Sequence, residues 1–203
     1  MCIQKTTHLA AALVLVFALV GCDKSETTTS SSATTATTAT SPSNEPAVVD
    51  WKVTEKKRVQ DDVDRINQSV AAGKSEDIIP YMHPKIFEVA KKTPADLKKV
   101  LAKAGAEMKK RGMTFESSEY VTAPYFLESE KSQFVIIPLK RVFNMPDKKL
   151  EQQGFLFGER KKGTEKWGYI EGKQLDDNNI RTLFPDFPKG ELLPSSIANV
   201  IKK

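Results

Sequence analysis

Hydrophobic residues recur at helical spacing in one part of the chain and at strand spacing in another. A stripe at intervals of three and four residues predicts a helix with an N-cap at Thr54 and an end near Gly73. The stripe consists of Val59, Val63, Ile66 and Val70. A second helix is predicted after Thr93, because Pro94 at its first position and Asp96 at its third are typical of a capped N-terminus.

Between these helices, prolines at 80 and 84 divide segment 75–90 into short turns. After the second helix, the hydrophobic period changes to two, which is typical of β-strands. We expect strands at 113–122, 133–144, 151–161 and 166–174. A helical turn at 177–184 and a short tail at 197–203 complete the pattern.

The second strand is unusual because residues 134–139 are apolar on both faces. Both faces should therefore be covered, one by the helices and the other by the C-terminal tail or a second subunit. Pro138 lacks a backbone N–H and predicts a sheet edge or a bulge at its position. Residues 134–144 are also the candidate seam of a homodimer.

The N-terminus has the pattern of an export signal. Lys5 precedes an uncharged apolar run, residues 9–20, which leads to Gly21 and Cys22. As a helix the run spans roughly 18 Å, less than the ~30 Å hydrocarbon core of a bilayer. We therefore expect residues 1–21 to be a removed signal peptide rather than a permanent transmembrane helix. This signal peptide either gives Cys22 a special role or, as the alternative, is an ordinary signal peptide that happens to contain a cysteine.

Residues Leu19-Val20-Gly21-Cys22 resemble the lipobox of bacterial lipoproteins. The resemblance implies that Cys22 becomes the mature N-terminus and carries fatty acyl chains such as palmitate. Several acyl chains together give durable membrane attachment. Asp23 resembles the residue that retains many Gram-negative lipoproteins in the inner membrane, which implies the periplasmic face of that membrane, with the outer membrane as the alternative.

Composition separates a tether from one folded domain. Residues 22–47 are dominated by Ser, Thr and Ala and contain no large apolar side chain, which predicts a disordered tether. From residue 48 the composition is globular and without internal repeats, so we assign one domain to 48–203. The whole chain is 39% hydrophobic with a formal net charge of +5. An exported location argues against nucleic acid as the partner of this basic chain.

The mature chain is poor in the residues that carry catalysis. Removal of the signal leaves Cys22 as its cysteine and His83 as its histidine, which argues against a disulfide, a metal site and a Cys–His nucleophile. We expect no cofactor. A structural or capping role for His83 is preferred over a catalytic one. Asp61 and Asp62 are adjacent on a helix, point apart and are expected to be solvated.

Basic side chains cluster on the segment that contains the second predicted helix. We interpret them as a solvated helix face, with contact to anionic lipid headgroups as the alternative. They are Lys91, Lys92, Lys98, Lys99, Lys103, Lys109, Lys110 and Arg111.

Helices followed by antiparallel strands define an α+β fold. This order resembles the nuclear transport factor 2-like superfamily, in particular its uncharacterised exported members. The matching segments are "YMHPKIFEVA" (81–90), "MKKRGMTFESSEY" (108–120), "KWGYIEGKQLDD" (166–177) and "LFPDFP" (183–188). The resemblance implies N-terminal helices packed on a curved antiparallel sheet of about four strands, with a cone-shaped pocket between them.

The resemblance also implies candidates for a binding site. Aromatic side chains and one histidine are expected to line the pocket, with simple core packing as the alternative. They are Tyr81, His83, Phe87, Phe155, Phe157, Trp167 and Tyr169. We therefore expect a membrane-anchored envelope lipoprotein that binds a small apolar ligand or a protein partner. The alternatives are an isomerase, dehydratase or hydrolase that uses the pocket, and a purely structural lipoprotein.

Overall fold

The computed structural model describes residues 50–202, which form an α+β fold. Residues 1–21 and 22–47, with Cys22 and Asp23, lie outside the described residues. Four α-helices and two 3-10 helices are α1 (Trp51–Ala71), η1 (Ser75–Tyr81), α2 (Pro84–Ala90), α3 (Pro94–Lys110), η2 (Gly172–Gln174) and α4 (Ile180–Leu183). Six strands are β1 (Thr114–Tyr120), β2 (Tyr125–Glu128), β3 (Ser132–Asn144), β4 (Lys148–Lys161), β5 (Gly168–Glu171) and β6 (Ile197–Lys202).

The helix ends follow from local capping chemistry. The α3 prediction is confirmed, because Thr93 and Asp96 form a reciprocal capping box and Pro94 occupies the first turn. The predicted cap of α1 is wrong. The helix begins one turn earlier, where the side chain of Asp50 accepts a hydrogen bond from the backbone N–H of Lys52. Gly73 follows the end of α1 with a φ of 69°, as predicted for a helix stop.

The six strands form one open antiparallel sheet around a long central pair. All 13 residues of β3 pair with β4. The other edge of β3 is divided between β1 and β2, and the other edge of β4 between β5 and β6. The prediction of about four strands omitted β2 and β6. Strand β2 is only four residues long, and β6 is exposed on both faces, so neither carries a clear alternation.

Pro138 lies at a local edge inside the central strand. Its carbonyl oxygen accepts a hydrogen bond from the N–H of Val121, so its missing N–H also faces the β1–β2 side. There β1 ends opposite Leu139 and β2 begins opposite Ile136. The proline therefore removes no hydrogen bond from the ladder with β4, which satisfies the expectation of an edge position.

The C-terminal segment covers one face of the sheet, which we call the tail face. Phe134 and Phe157 point to this face and contact both Phe184 and Phe187, with ring centroids 4.7–6.4 Å apart. The residues from 134 to 137 are completely buried within one chain. The segment that contains Phe184 and Phe187 thus covers this face within one chain, whereas the predicted tail at 197–203 pairs with the edge of β4 as strand β6. The homodimer seam at 134–144 stays a prediction.

The opposite face, which we call the helix face, packs against α1. Trp167 donates a hydrogen bond to Glu55 at 2.9 Å, and Arg160 pairs with the same carboxylate at 2.9 Å. The Arg160 guanidinium also lies over the rings of Trp51 and Trp167. These contacts fix α1 across the sheet. No helix among residues 50–202 is both long and apolar enough to cross a membrane.

We predict that Phe187→Ala destabilises the fold by about 3–4 kcal/mol, because a 2%-exposed ring between two core phenylalanines is replaced by a cavity. The matched control is Leu192→Ala in the same segment, where the side chain is 69% exposed and the expected change is within about 0.5 kcal/mol. Urea unfolding measures both. Equal effects for the two variants would contradict the role of the tail as part of the core.

Candidate functional site

Two adjoining cavities lie on the helix face of the sheet. The inner cavity, of about 60 Å³, lies between the sheet and the helices α1 and η1. The outer groove, of about 130 Å³, is bounded by β3, β4 and the start of β6. Arg141, Phe143 and Glu171 line both, so they mark the junction between them. We treat this pair of cavities as the candidate site.

The inner cavity is mainly apolar. Helices α1, η1 and α2 contribute aliphatic side chains, and β3 to β5 contribute the opposite wall. Its apolar lining residues are Ile66, Val70, Ile78, Met82, Ile86, Phe143 and Leu156. Tyr81 and Tyr169 add two phenol rings. Such a space holds water poorly and favours an alkyl or aryl group.

An ion pair stands at the junction of the two cavities. Arg141 on β3 and Glu171 on β5 meet over the intervening strand β4, with Nη1 of the arginine 2.9 and 3.1 Å from the two carboxylate oxygens. The register places Gly154 of β4 midway between them. Gly154 has no side chain and lines the outer groove.

The outer groove is more polar than the inner cavity. Besides the junction residues, Gln152, Lys173 and Ser196 contribute polar groups to its lining. The first residues of β6 form its far wall, and a Cβ at Gly154 would lie 3.0 Å from the Ser196 hydroxyl. The groove therefore depends on the position of β6 as well as on the central strands.

A larger open groove, of about 510 Å³, lies between α2 and the segment 174–183. It is open to solvent and has a mixed lining of apolar and polar side chains, and none of its lining residues belongs to a buried ion pair among the described residues. We therefore regard it as a surface depression rather than as the candidate site.

Tyr169 connects the inner cavity to α1. Its phenol donates a hydrogen bond to Asp62 at 2.9 Å. Burial raises the pKa of both groups, and for Asp62 the hydrogen bond and nearby Arg65 oppose that rise. Asp61 is solvated as expected and pairs with Lys57, but the expectation for Asp62 is wrong because it is half-buried. Asp62 does not line the inner cavity, so the pair holds α1 to β5 rather than facing a ligand.

The structure separates the predicted pocket residues into two groups. Tyr81 and Tyr169 line the inner cavity. The others lie elsewhere: Phe155, Phe157 and Trp167 are at most 1% exposed within the core, and Phe87 packs against the core from α2. His83 belongs to a separate polar cluster on the tail face.

That cluster, the Glu159 cluster, consists of His83, Ser132, Glu159 and Lys161. Nε2 of His83 lies 2.7 Å from one oxygen of Glu159, and the other oxygen accepts hydrogen bonds from Ser132 at 2.8 Å and Lys161 at 2.6 Å. Ser132 is completely buried, and Glu159 is 4% exposed. A buried carboxylate with all its partners is a stable arrangement, whereas one lacking them is costly.

His83 also caps the N-terminus of α2, in agreement with the structural or capping role expected for this residue. Its Nδ1 accepts a hydrogen bond from the backbone N–H of Lys85. Nδ1 is therefore unprotonated, and the ring hydrogen resides on Nε2, where it is donated to Glu159. Since the serine and the carboxylate are both enclosed, a substrate has no access to them. The Glu159 cluster thus joins α2 to β4 and is not a catalytic centre.

The pKa of Glu159 reflects these partners. Burial raises it, but the three hydrogen bonds lower it by more, so the pKa is about 2 against an ordinary value of 4.5. The folded state therefore favours the ionised carboxylate.

Sequence reasoning missed Arg141, Glu159 and Glu171. Each of them could have been noticed in the sequence, because each is a charged residue on the same strand face as apolar neighbours. Arg141, for example, shares a face with Leu139 and Phe143. A charge at such a position indicates a buried pair or a site. Within the described residues, no group of three or more His, Cys, Asp or Glu side chains is arranged to hold a metal ion.

Comparisons with known proteins gave no matching family model, no similar curated protein and no similar solved structure. The geometry defines the class instead: an α+β domain whose six-stranded open antiparallel sheet is covered by helices on one face and by a C-terminal tail on the other, with a cavity under the helices. Function has to be argued from that cavity.

We predict that the Glu159 carboxylate makes stability fall in acid. Because its folded pKa is lowered, its contribution is complete above about pH 5 and is lost as the pH falls toward 2, a change of roughly 3 kcal/mol. Glu159→Gln should be less stable at neutral pH and lose less stability across that range. Urea unfolding at several pH values measures this.

The matched control is Glu165→Gln, an exposed carboxylate in the connection after β4. It should retain the acid dependence of the parent protein. The same dependence in Glu159→Gln would show that Glu159 is not the responsible group.

Proposed function

We propose that this protein is an exported lipoprotein, anchored through acyl chains on Cys22, whose folded domain binds a small apolar ligand in the inner cavity. The observation that supports ligand binding is an apolar cavity under the helices that shares Arg141, Phe143 and Glu171 with a more polar groove. The location follows from the lipobox resemblance and favours the periplasmic face of the inner membrane.

The arrangement of elements supports a nuclear transport factor 2-like cone as the fold. Helices precede an antiparallel sheet, and the cavity lies between the two, where the pocket of that superfamily is expected. The same cavity supports ligand binding over a purely structural role. A chemical step is less well supported, because Glu171, the carboxylate that lines the inner cavity, is already paired with Arg141, and Asp62, the partner of Tyr169, does not line it.

The volume limits the ligand. The inner cavity is small, with a volume of about 60 Å³, and its lining is mainly aliphatic. A short branched alkyl group suits such a space. The ligand of the inner cavity is therefore a small molecule or the end of a longer one.

We predict that full-length protein binds isoamyl alcohol saturably and that Val70→Phe weakens this binding at least tenfold, because the added ring fills the inner cavity. Ligand-dependent stabilisation against unfolding measures the affinity. Val53→Phe is the matched control, since it makes the same change on α1 at a side chain that is 69% exposed. Absence of saturable binding to the parent protein, or equal binding to both variants, would refute the proposal.

We predict that Cys22→Ser releases the protein from the membrane fraction and removes the lipid mass from its N-terminus. Cys2→Ser is the matched control, because that cysteine lies in the predicted signal peptide and its loss should leave anchoring unchanged. Fractionation and intact-mass measurement check both variants. A Cys22→Ser protein that still partitions with membranes and carries lipid would contradict the anchor.

A further inference from the structure

This inference rests on the proposed function and names the chemical class of the ligand. We propose that the ligand is a small organic acid, with its apolar body in the inner cavity and its carboxylate bound by Arg141 at the start of the outer groove. The ion pair between Arg141 and Glu171 then acts as the recognition element of the site.

Arg141 lies where the inner cavity and the outer groove meet. Arg141 lines both cavities, and its side chain is only 11% exposed. A molecule that fills the inner cavity and extends into the groove must pass this guanidinium. Its polar end therefore lies next to a positive charge that is largely shielded from water, where electrostatic attraction is stronger than at the surface.

The charged residues that line the two cavities have a net positive charge. Arg141 and Glu171 are the charged residues that line the inner cavity, and they neutralise one another. The outer groove adds Lys173, for which no ion pair is found among residues 50–202. One positive charge is thus left over in the groove, which favours an anionic group over a cationic one.

The guanidinium of Arg141 has hydrogen-bond donors that Glu171 does not use. Only Nη1 of Arg141 contacts Glu171, although arginine has five N–H donors on three nitrogens. Within the described part of the chain, neither Nε nor Nη2 of this arginine makes a hydrogen bond. These donors suit the two oxygens of a carboxylate in a bidentate arrangement. A ligand acid can therefore bind without first breaking the existing pair.

The test compares two ligands with one carbon skeleton, isovalerate and isoamyl alcohol, on the full-length protein. We expect isovalerate to bind at least tenfold more tightly than the alcohol. The double variant Arg141→Gln/Glu171→Gln, which leaves no unpaired buried charge, should lose this preference while its affinity for the alcohol changes less than threefold. Glu171→Gln alone should bind isovalerate several-fold more tightly, because a negative charge next to the ligand carboxylate is removed.

Lys140→Gln is the matched control. Lys140 is adjacent to Arg141 on β3 but points to the tail face and pairs with Glu151, so the preference should persist. If the alcohol binds and the acid binds no more tightly, the acid proposal is overturned and the proposed function stands. If neither ligand binds the parent protein, both proposals fail. A preference that survives in the double variant also overturns the role of Arg141.

Discussion

The long antiparallel pair of β3 and β4 is the constraint on which the rest of the structure depends. Every residue of β3 pairs with β4, and each strand divides its outer edge between two shorter strands. Because side chains alternate along this pair, one face must be covered by the tail and the other by helices. The inner cavity lies where α1 and η1 meet the sheet, and the outer groove lies where residues of α1 and η1 no longer line the wall.

Buried charges fix the elements that lie on this sheet. Glu55 joins α1 to β4 through Arg160, and Glu159 joins α2 to β4 through His83. Removing Arg160 would leave the Glu55 carboxylate buried without its countercharge, which costs about 3–5 kcal/mol. Removing His83 would leave one oxygen of the buried Glu159 carboxylate without its hydrogen bond. The pair of Arg141 and Glu171 differs, since it borders open space and its acid is 28% exposed. Of these three pairs, it is therefore the one that can exchange partners at the smallest cost to the fold.

The sequence predicted the elements with strong local signals and missed those fixed by tertiary contact. The capping box at Thr93, the continuous apolar run of β3 and the alternation in β4 identified their elements within a few residues. Strand β2 could not be recognised because its pairing with β3, and not its own pattern, makes it a strand. For the site, aromatic residues indicated the core in general, and only Tyr81 and Tyr169 line the cavity. That Arg141 and Glu171 form a pair could not be predicted, because it depends on the strand register, which places both on the same face of the sheet on either side of β4.

The edge strand β6 has a consequence for the mobility of the outer groove that it borders. All its residues are exposed, and Ile197, Val200 and Ile201 each leave about half of their surface in water. Its separation from β4 would uncover little buried apolar surface, so it requires far less free energy than opening the sheet at its centre. Fast hydrogen exchange at the amides of β6, with slow exchange along β3, is the dynamic pattern that this architecture dictates. One wall of the outer groove thus belongs to a weakly held edge strand, while the wall behind it belongs to the central pair of the sheet.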